Sequence, residues 1–313
     1  MGPQEMQIMD WLMEGDPAIR WQVMRDLLNA PEAEWQVERQ KTVSEGWGAA
    51  FLSHQGQDDI WGGGVYSPKW ISSTYTLLTL KEIGVPRETA ACQRGLKVVM
   101  DQFFGPVNGA NFARNLKHCD LCISGMFVGL GLYFRTGDER LGRLQEQVLE
   151  TQLVDGGWNC RWNKEAIHHS SFHTMLNILD GIRQWIEEGS SPLVEEAVSA
   201  EKKAMELLLQ HGLFRSSQTG EVINRRFLLF SHPVRWYYDV FRALEYFQRA
   251  GAGQDERLAE AVEVLQSKRL KDGRWPVQNR HAGKQFFVME KTGQPSRWNT
   301  LRALRILRWW EGH

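Results

Sequence analysis

Three stretches of this 313-residue chain share one layout: Gln55-Gly-Gln-Asp58-Asp59-Ile-Trp61, Gln152-Leu-Val-Asp155-Gly-Gly-Trp158 and Arg269-Leu-Lys-Asp272-Gly-Arg-Trp275. Each follows an amphipathic segment with apolar residues at helical spacing and precedes another. Weaker copies at Asn108-Gly-Ala-Asn-Phe112 and His211-Gly-Leu-Phe214 restore an interval of roughly fifty residues, the size of a helical-hairpin repeat. The unit is therefore helix, Gly-turn-aromatic, loop, helix. This periodicity restricts the chain to an array of helical hairpins.

The second helix of each unit is the more apolar, which predicts six inner helices over 17–28, 71–83, 120–134, 170–185, 233–247 and 296–310. The more charged set, over 32–52, 87–103, 139–153, 193–209 and 256–268, predicts outer helices, with 4–13 able to close the ring. Asp16-Pro17 places a capping side chain before a proline at a first helical position, and Ser170 or Ser171 can cap the fourth inner helix. Gly84, Gly137, Gly189 and Gly251 fall just past helix ends, as left-handed caps. No strand-like alternation competes. The expected fold is an all-α, α/α toroid of six hairpins, in a single domain over 1–313.

Composition narrows the function. With 42% hydrophobic and 24% charged residues the chain can bury a sizeable core. A formal net charge of -1, with Lys and Arg scattered among Asp and Glu, argues against nucleic acid as partner. The amino-terminal residues lack a basic stretch followed by an apolar run, and no window approaches a spanning length, so a soluble, cytoplasmic protein without a transmembrane segment is expected. Four cysteines, at 92, 119, 122 and 160, are too few and too dispersed for a disulfide framework. The 14 Trp recur at loop ends beside Gly.

Chemistry concentrates at two helix starts. Asp120-Leu-Cys122-Ile-Ser-Gly-Met is answered fifty residues later by Ser170-Ser-Phe172-His173-Thr. Carboxylate, thiolate and imidazole together form a zinc ligand set if the two helices are neighbours. Cys122 sits in a first helical turn, where backbone N–H groups and the dipole favour the thiolate, and a capping Asp120 can turn its carboxylate toward it. Cys160, delivered by the loop after Trp158, is a fourth candidate ligand that would close the site. Cys119, His168 and His169 lie nearby in sequence. The plain alternative makes Cys122 a small buried hydrophobe, Asp120 an N-cap and His173 a satisfied interior histidine.

The Gln-x-x-Asp-Gly-x-Trp pattern resembles the repeat motif of squalene and oxidosqualene cyclases and of protein prenyltransferase β-subunits, whose shared fold is an α/α toroid. That resemblance implies that Gln and Trp staple an outer helix to its turn, making Asp155, Gly156 and Trp158 structural. It extends to the prenyltransferase zinc site, with Asp120, Cys122 and His173 at the matching motif positions and Phe172 where Tyr is frequent. Squalene-type cyclases are about twice as long and carry an Asp-rich protonating motif where this chain has the single Asp120. The prenyltransferases bind diphosphate through clustered basic residues and act with a separate α-subunit.

Aromatic residues at the remaining inner-helix starts, Trp70, Tyr75, Trp236, Tyr237 and Trp298, with Phe172 and Arg297, are expected to line a largely apolar cavity suited to an isoprenoid or other hydrophobic ligand. Asp239 beside Tyr238 is the candidate isolated acid. The expectation is a zinc-dependent enzyme acting on a hydrophobic substrate in an aromatic-lined central cavity. A binding or scaffold protein with a structural zinc site, partnered by a lipid or another protein, is the first alternative. A metal-free terpene cyclase using Asp239 and Tyr238 is the second.

Overall fold

The computed structural model describes residues 2–107, 109, 111–164, 167–189 and 191–312. The chain is mostly helical. The six helices expected as the inner set, and called inner for that reason, form as α2 (Pro17–Asp26), α5 (Ser73–Glu82), α8 (Leu121–Tyr133), α10 (Phe172–Glu188), α12 (Val240–Arg249) and α14 (Arg297–Glu311). The set expected as outer, and so called, comprises α1 (Pro3–Met13), α3 (Glu32–Gln40), α4 (Gly46–Ser53), α6 (Ala90–Phe104), α9 (Arg140–Glu150), α11 (Val194–Gln210) and α13 (Ala259–Ser267), with a short α7 (Phe112–His118) added between α6 and α8. Two-residue strands β1 (Trp275–Pro276) and β2 (Pro295–Ser296) pair antiparallel at the last turn. Among the described residues, no helix is long and apolar enough to cross a membrane.

The repeated turns behave as one device. Trp61, Trp158 and Trp275 are fully buried. Their indole N–H groups donate to the carbonyls of Phe51, Val148 and Leu265, at 2.8, 2.7 and 2.8 Å. Each thereby adds a donor to a carbonyl in the last turn of the preceding helix, where backbone donors run short; Phe51 O and Leu265 O also accept the His54 and Lys268 N–H, each at 3.2 Å. Gln55 and Gln152 then bridge to the next outer helix: the Gln152 amide donates to Gly156 O at 2.7 Å and to Ala200 O at 2.9 Å, and that of Gln55 to Asp59 O at 3.1 Å and Ala91 O at 2.9 Å. Arg269 replaces the glutamine in the last copy and still reaches Gly273 O, at 3.2 Å. The weaker copy at 108–112 lies partly outside the described residues, since Asn108 and Ala110 fall there.

Contacts run in succession from inner helix to inner helix. The Trp21 indole of α2 donates to Ile83 O just past α5 at 3.0 Å. α5 packs on α8, α8 packs most extensively on α10, α12 packs on α14, and α14 returns to α2. Between α10 and α12 the link is polar, with Arg242 on Asp180 at 2.6 Å. The α8–α10 crossing is close because glycines face each other: a Cβ on Gly181 would stand 2.3 Å from Gly125 O. Glycine here is a packing requirement, since any side chain would drive the two backbones apart.

Several expectations need correction. The helix expected over 32–52 is broken at Ser44–Gly46, where Gly46 takes φ 63° and the Asp16 carboxylate accepts the Trp47 N–H at 2.7 Å. Asp16 also accepts from Ala18, capping α2 as expected. The fifth inner helix starts at Val240 instead of Pro233, capped by Asp239. Ser171 holds the N-cap position of α10 without a side-chain cap bond, and Ser170 instead bonds Asp155 through its hydroxyl and N–H at 2.6 and 2.7 Å, holding the preceding turn to the helix start. Gly84, Gly137, Gly189 and Gly251 all adopt the positive φ expected of them.

Candidate functional site

The two helix starts that carry the sulfur and the imidazole are neighbours, through the α8–α10 crossing. Cys160 sits between them: its sulfur accepts the backbone N–H of Cys122 at 3.3 Å and the Thr174 hydroxyl at 3.2 Å. The Cys122 thiol also donates to Cys160, which raises the Cys122 pKa, with burial adding to the effect. The same hydrogen bond lowers that of Cys160. The sulfur that a helix N-terminus turns toward a thiolate is therefore Cys160, not Cys122, because the free N–H of the first turn of α8 points at the loop residue. Burial pushes the neighbouring Cys119 up to about 12.

His173 faces other partners. Its Nδ1 accepts the Tyr238 N–H at 2.8 Å, and its ring lies against Phe227, Trp236 and Tyr237. Burial, then the charge of Arg242, pushes its pKa down to about 4. A neutral imidazole that accepts at Nδ1 carries its proton on Nε2, so neither nitrogen offers a metal a free lone pair in this arrangement. Asp120 caps α8 by position without a side-chain hydrogen bond to the helix. Among the described residues, no three His, Cys, Asp or Glu side chains converge as a metal site. The donors fit a zinc ion in kind, two sulfurs and a carboxylate, but His173 does not fit in orientation.

The aromatic helix starts are filled, not hollow. Trp70 and Lys284 exchange backbone contacts across the segment after β1, with Trp70 N–H on Lys284 O at 3.2 Å and Lys284 N–H on Lys69 O at 2.9 Å, while the Trp70 indole donates to Ala282 O at 2.8 Å. Tyr237 stacks on His281 at 3.8 Å and on Trp236 at 4.0 Å, and Trp70 meets Tyr75 edge-on at 4.8 Å. The space beside Trp70 and Phe287 amounts to about 10 Å³, no more than a water's worth. Phe172 stacks on Phe227, and the Arg297 guanidinium turns outward over Trp11, donating to its carbonyl at 2.8 Å.

Asp239 and Tyr238 are likewise engaged. Asp239 accepts the Arg242 N–H at 2.8 Å as the cap of α12. Burial raises its pKa, and Arg302 pulls it back. The Tyr238 hydroxyl donates to Leu213 O. Neither side chain borders the large cavity of the molecule.

That cavity, of about 1470 Å³, is bordered by all six inner helices. Of the expected aromatic residues only Trp298 lines it, at the inner end with Met126, Val234 and Arg235. Its walls are charged. Arg302 and Arg305 both pair with Glu245 at 2.9 Å, Arg305 also reaches Asp26 at 3.0 Å, and Asp180 takes Arg242 and Arg249 at 2.6 and 3.3 Å. Arg235, held at φ 61°, donates to Thr79 Oγ1 at 3.2 Å and lies over Trp70; burial brings its pKa down to about 10. A chamber so lined is hydrated, because desolvating this many charges would cost more than their pairing returns. The mouth lies at the carboxyl ends of the inner helices, where lining residues Arg25, Asn29 and Glu311 are exposed.

These wall residues were not anticipated, yet they leave a trace in the sequence. Arg302, Arg305 and Arg308 recur every third position on α14, and Arg242, Glu245 and Arg249 follow helical spacing on α12. Charge on one face of a helix read as inner is the signature of a polar chamber. Compared with protein families, with curated proteins and with solved structures, the chain matches none.

Proposed function

We propose that this chain is an α/α toroid of six hairpins, of the cyclase and prenyltransferase kind in architecture, whose central chamber receives a small, charged, water-soluble molecule and not an isoprenoid chain. The contact succession α2, α5, α8, α10, α12, α14 and back to α2 supports the ring. What carries the ligand class is the chamber of about 1470 Å³ with ion-paired arginines on its walls and its aromatic end packed shut. A hydrocarbon placed there would strip water from Arg302, Glu245 and Asp180 without replacing its hydrogen bonds, whereas a polar ligand would replace them.

The test is a binding comparison by calorimetry. Oxamate and citrate are expected to bind, with affinity falling as salt rises, and farnesol to leave the protein unaffected. Saturable farnesol binding without binding of either anion would reverse the assignment.

The sulfur pair supports a second role. Cys122 and Cys160 meet across the starts of α8 and α10 with Asp120 at the helix tip, a donor set for a zinc pin once side chains rotate toward a metal. With His173 committed to Tyr238, zinc there would brace the fold. Purified protein is expected to carry zinc that Cys122→Ser and Cys160→Ser lose and His173→Ala keeps. Zinc-free wild-type protein, or loss only in His173→Ala, would end this assignment.

A further inference from the structure

Ten basic side chains border the chamber, and among the described residues Lys81 alone of them makes no hydrogen bond or ion pair. It lies in the last turn of α5. Its Nζ stands 3.5 Å from the point a Cβ on Gly129 would occupy, over the glycine seam where α8 crosses α10, so no side chain covers the amine from that direction. The Tyr133 ring is 5.8 Å away. The charged groups around it come from every neighbouring element: Glu82 follows it on α5, Asp180 and Glu187 belong to α10, Arg249 to α12, and Arg87 to the segment after α5.

We propose that Lys81 is a reactive amine that condenses with a small carbonyl compound bearing an anionic group, of the 2-oxo acid class, admitted through the chamber mouth. The inference rests on the chamber being a site for polar ligands. Burial first, and the charge of Arg249 next, bring the Lys81 pKa down to about 8. At pH 8 about half of this amine is then unprotonated, against about one in 250 for an ordinary lysine. An unprotonated amine with a cationic neighbour and no counter-ion in contact with it is how lysines become nucleophiles. The chamber that Lys81 and Gly129 both border leaves room for the carbonyl carbon beside Nζ, and the nearby arginines favour a carboxylate on the same molecule.

The step balances without a redox partner. The Nζ lone pair forms a bond to the carbonyl carbon, the C=O π pair moves to oxygen, and that oxygen leaves as water after taking up the two amine protons. The product is a C=N bond, protonated or neutral according to pH.

The full-length chain, incubated with pyruvate and sodium cyanoborohydride between pH 6 and 10, tests this by peptide mass mapping. The chain has twelve lysines, so indiscriminate chemistry would spread over all of them. The adduct is expected to concentrate at Lys81, at least tenfold over the mean of the others at pH 8, and to rise with a midpoint near pH 8. Oxamate, which has the anion but no comparable electrophile, should suppress it. Lys81→Arg keeps the charge and should abolish the dominant adduct while leaving the circular dichroism spectrum unchanged. Labelling of Lys81 no greater than that of exposed lysines overturns the proposal. If oxamate still binds in that case, the chamber assignment stands and only the amine chemistry falls; if oxamate does not bind either, both fall. Should Lys81→Arg misfold, the wild-type adduct map and its oxamate protection decide alone.

Discussion

Gly181→Val is expected to lower the melting temperature by roughly 3–5 °C, because the substitution forces apart the two most closely packed helices of the molecule. The added Cβ would meet Gly125 O at 2.3 Å and Gly125 Cα at 3.3 Å. Both are backbone atoms, which cannot rotate away as a side chain would. The cost should reach the upper end of the ~1–3 kcal/mol seen for overpacking. Gly125 is constrained from the other side, with a Cβ there only 2.6 Å from Ile178 Cα. Separation of α8 from α10 would also pull Cys122 from Cys160 and disturb the surface beneath Lys81. Thermal unfolding followed by circular dichroism checks this, with Gly142→Val on the open face of α9 as control, since nothing lies within 4 Å of that position. Equal melting temperatures for the two variants would refute the close crossing.

Trp158→Ala is expected to cost about 3–5 kcal/mol, the range for deleting a buried aromatic side chain. The indole is fully buried. Its loss opens a cavity and takes from Val148 O its 2.7 Å donor, leaving the Thr151 hydroxyl at 3.5 Å. Gln152→Ala should cost less, about 1–2 kcal/mol, because it removes hydrogen bonds without comparable apolar area. Urea denaturation would measure both. A larger loss for Gln152→Ala than for Trp158→Ala would mean that the turn is held by its polar bridge and not by the tryptophan.

The helices were legible because their signals are local. Apolar spacing located all six inner helices, Asp16-Pro17 marked the start of α2, and the Gly-turn-aromatic copies marked where outer helices end. Misjudged boundaries have identifiable causes. The turn at Ser44–Gly46 depends on Asp16, thirty residues earlier, and the delayed start of α12 follows from Asp239 capping where Pro233 looked like a first helical residue. At the sulfur cluster the sequence supplied the right neighbourhood but not the direction of the hydrogen bonds. Which cysteine receives the α8 N–H depends on how the loop after Trp158 lies, and no periodicity encodes that. The ring of aromatics was read as a cavity wall because aromatic residues suit one. Packing against the 280–287 segment, more than two hundred residues from Trp70 and about forty from Tyr237, turns these two into part of a plug.

That plug has a kinetic consequence. With Trp70 tied to Ala282 and Lys284 beside the amino-terminal ends of the lining helices, a ligand of the proposed chamber would enter and leave by the mouth at their carboxyl ends. Two molecules could meet at its bottom only in sequence, the deeper one arriving first and departing last. Turnover there would obey a compulsory order, and an abundant late arrival would trap the earlier one beneath it.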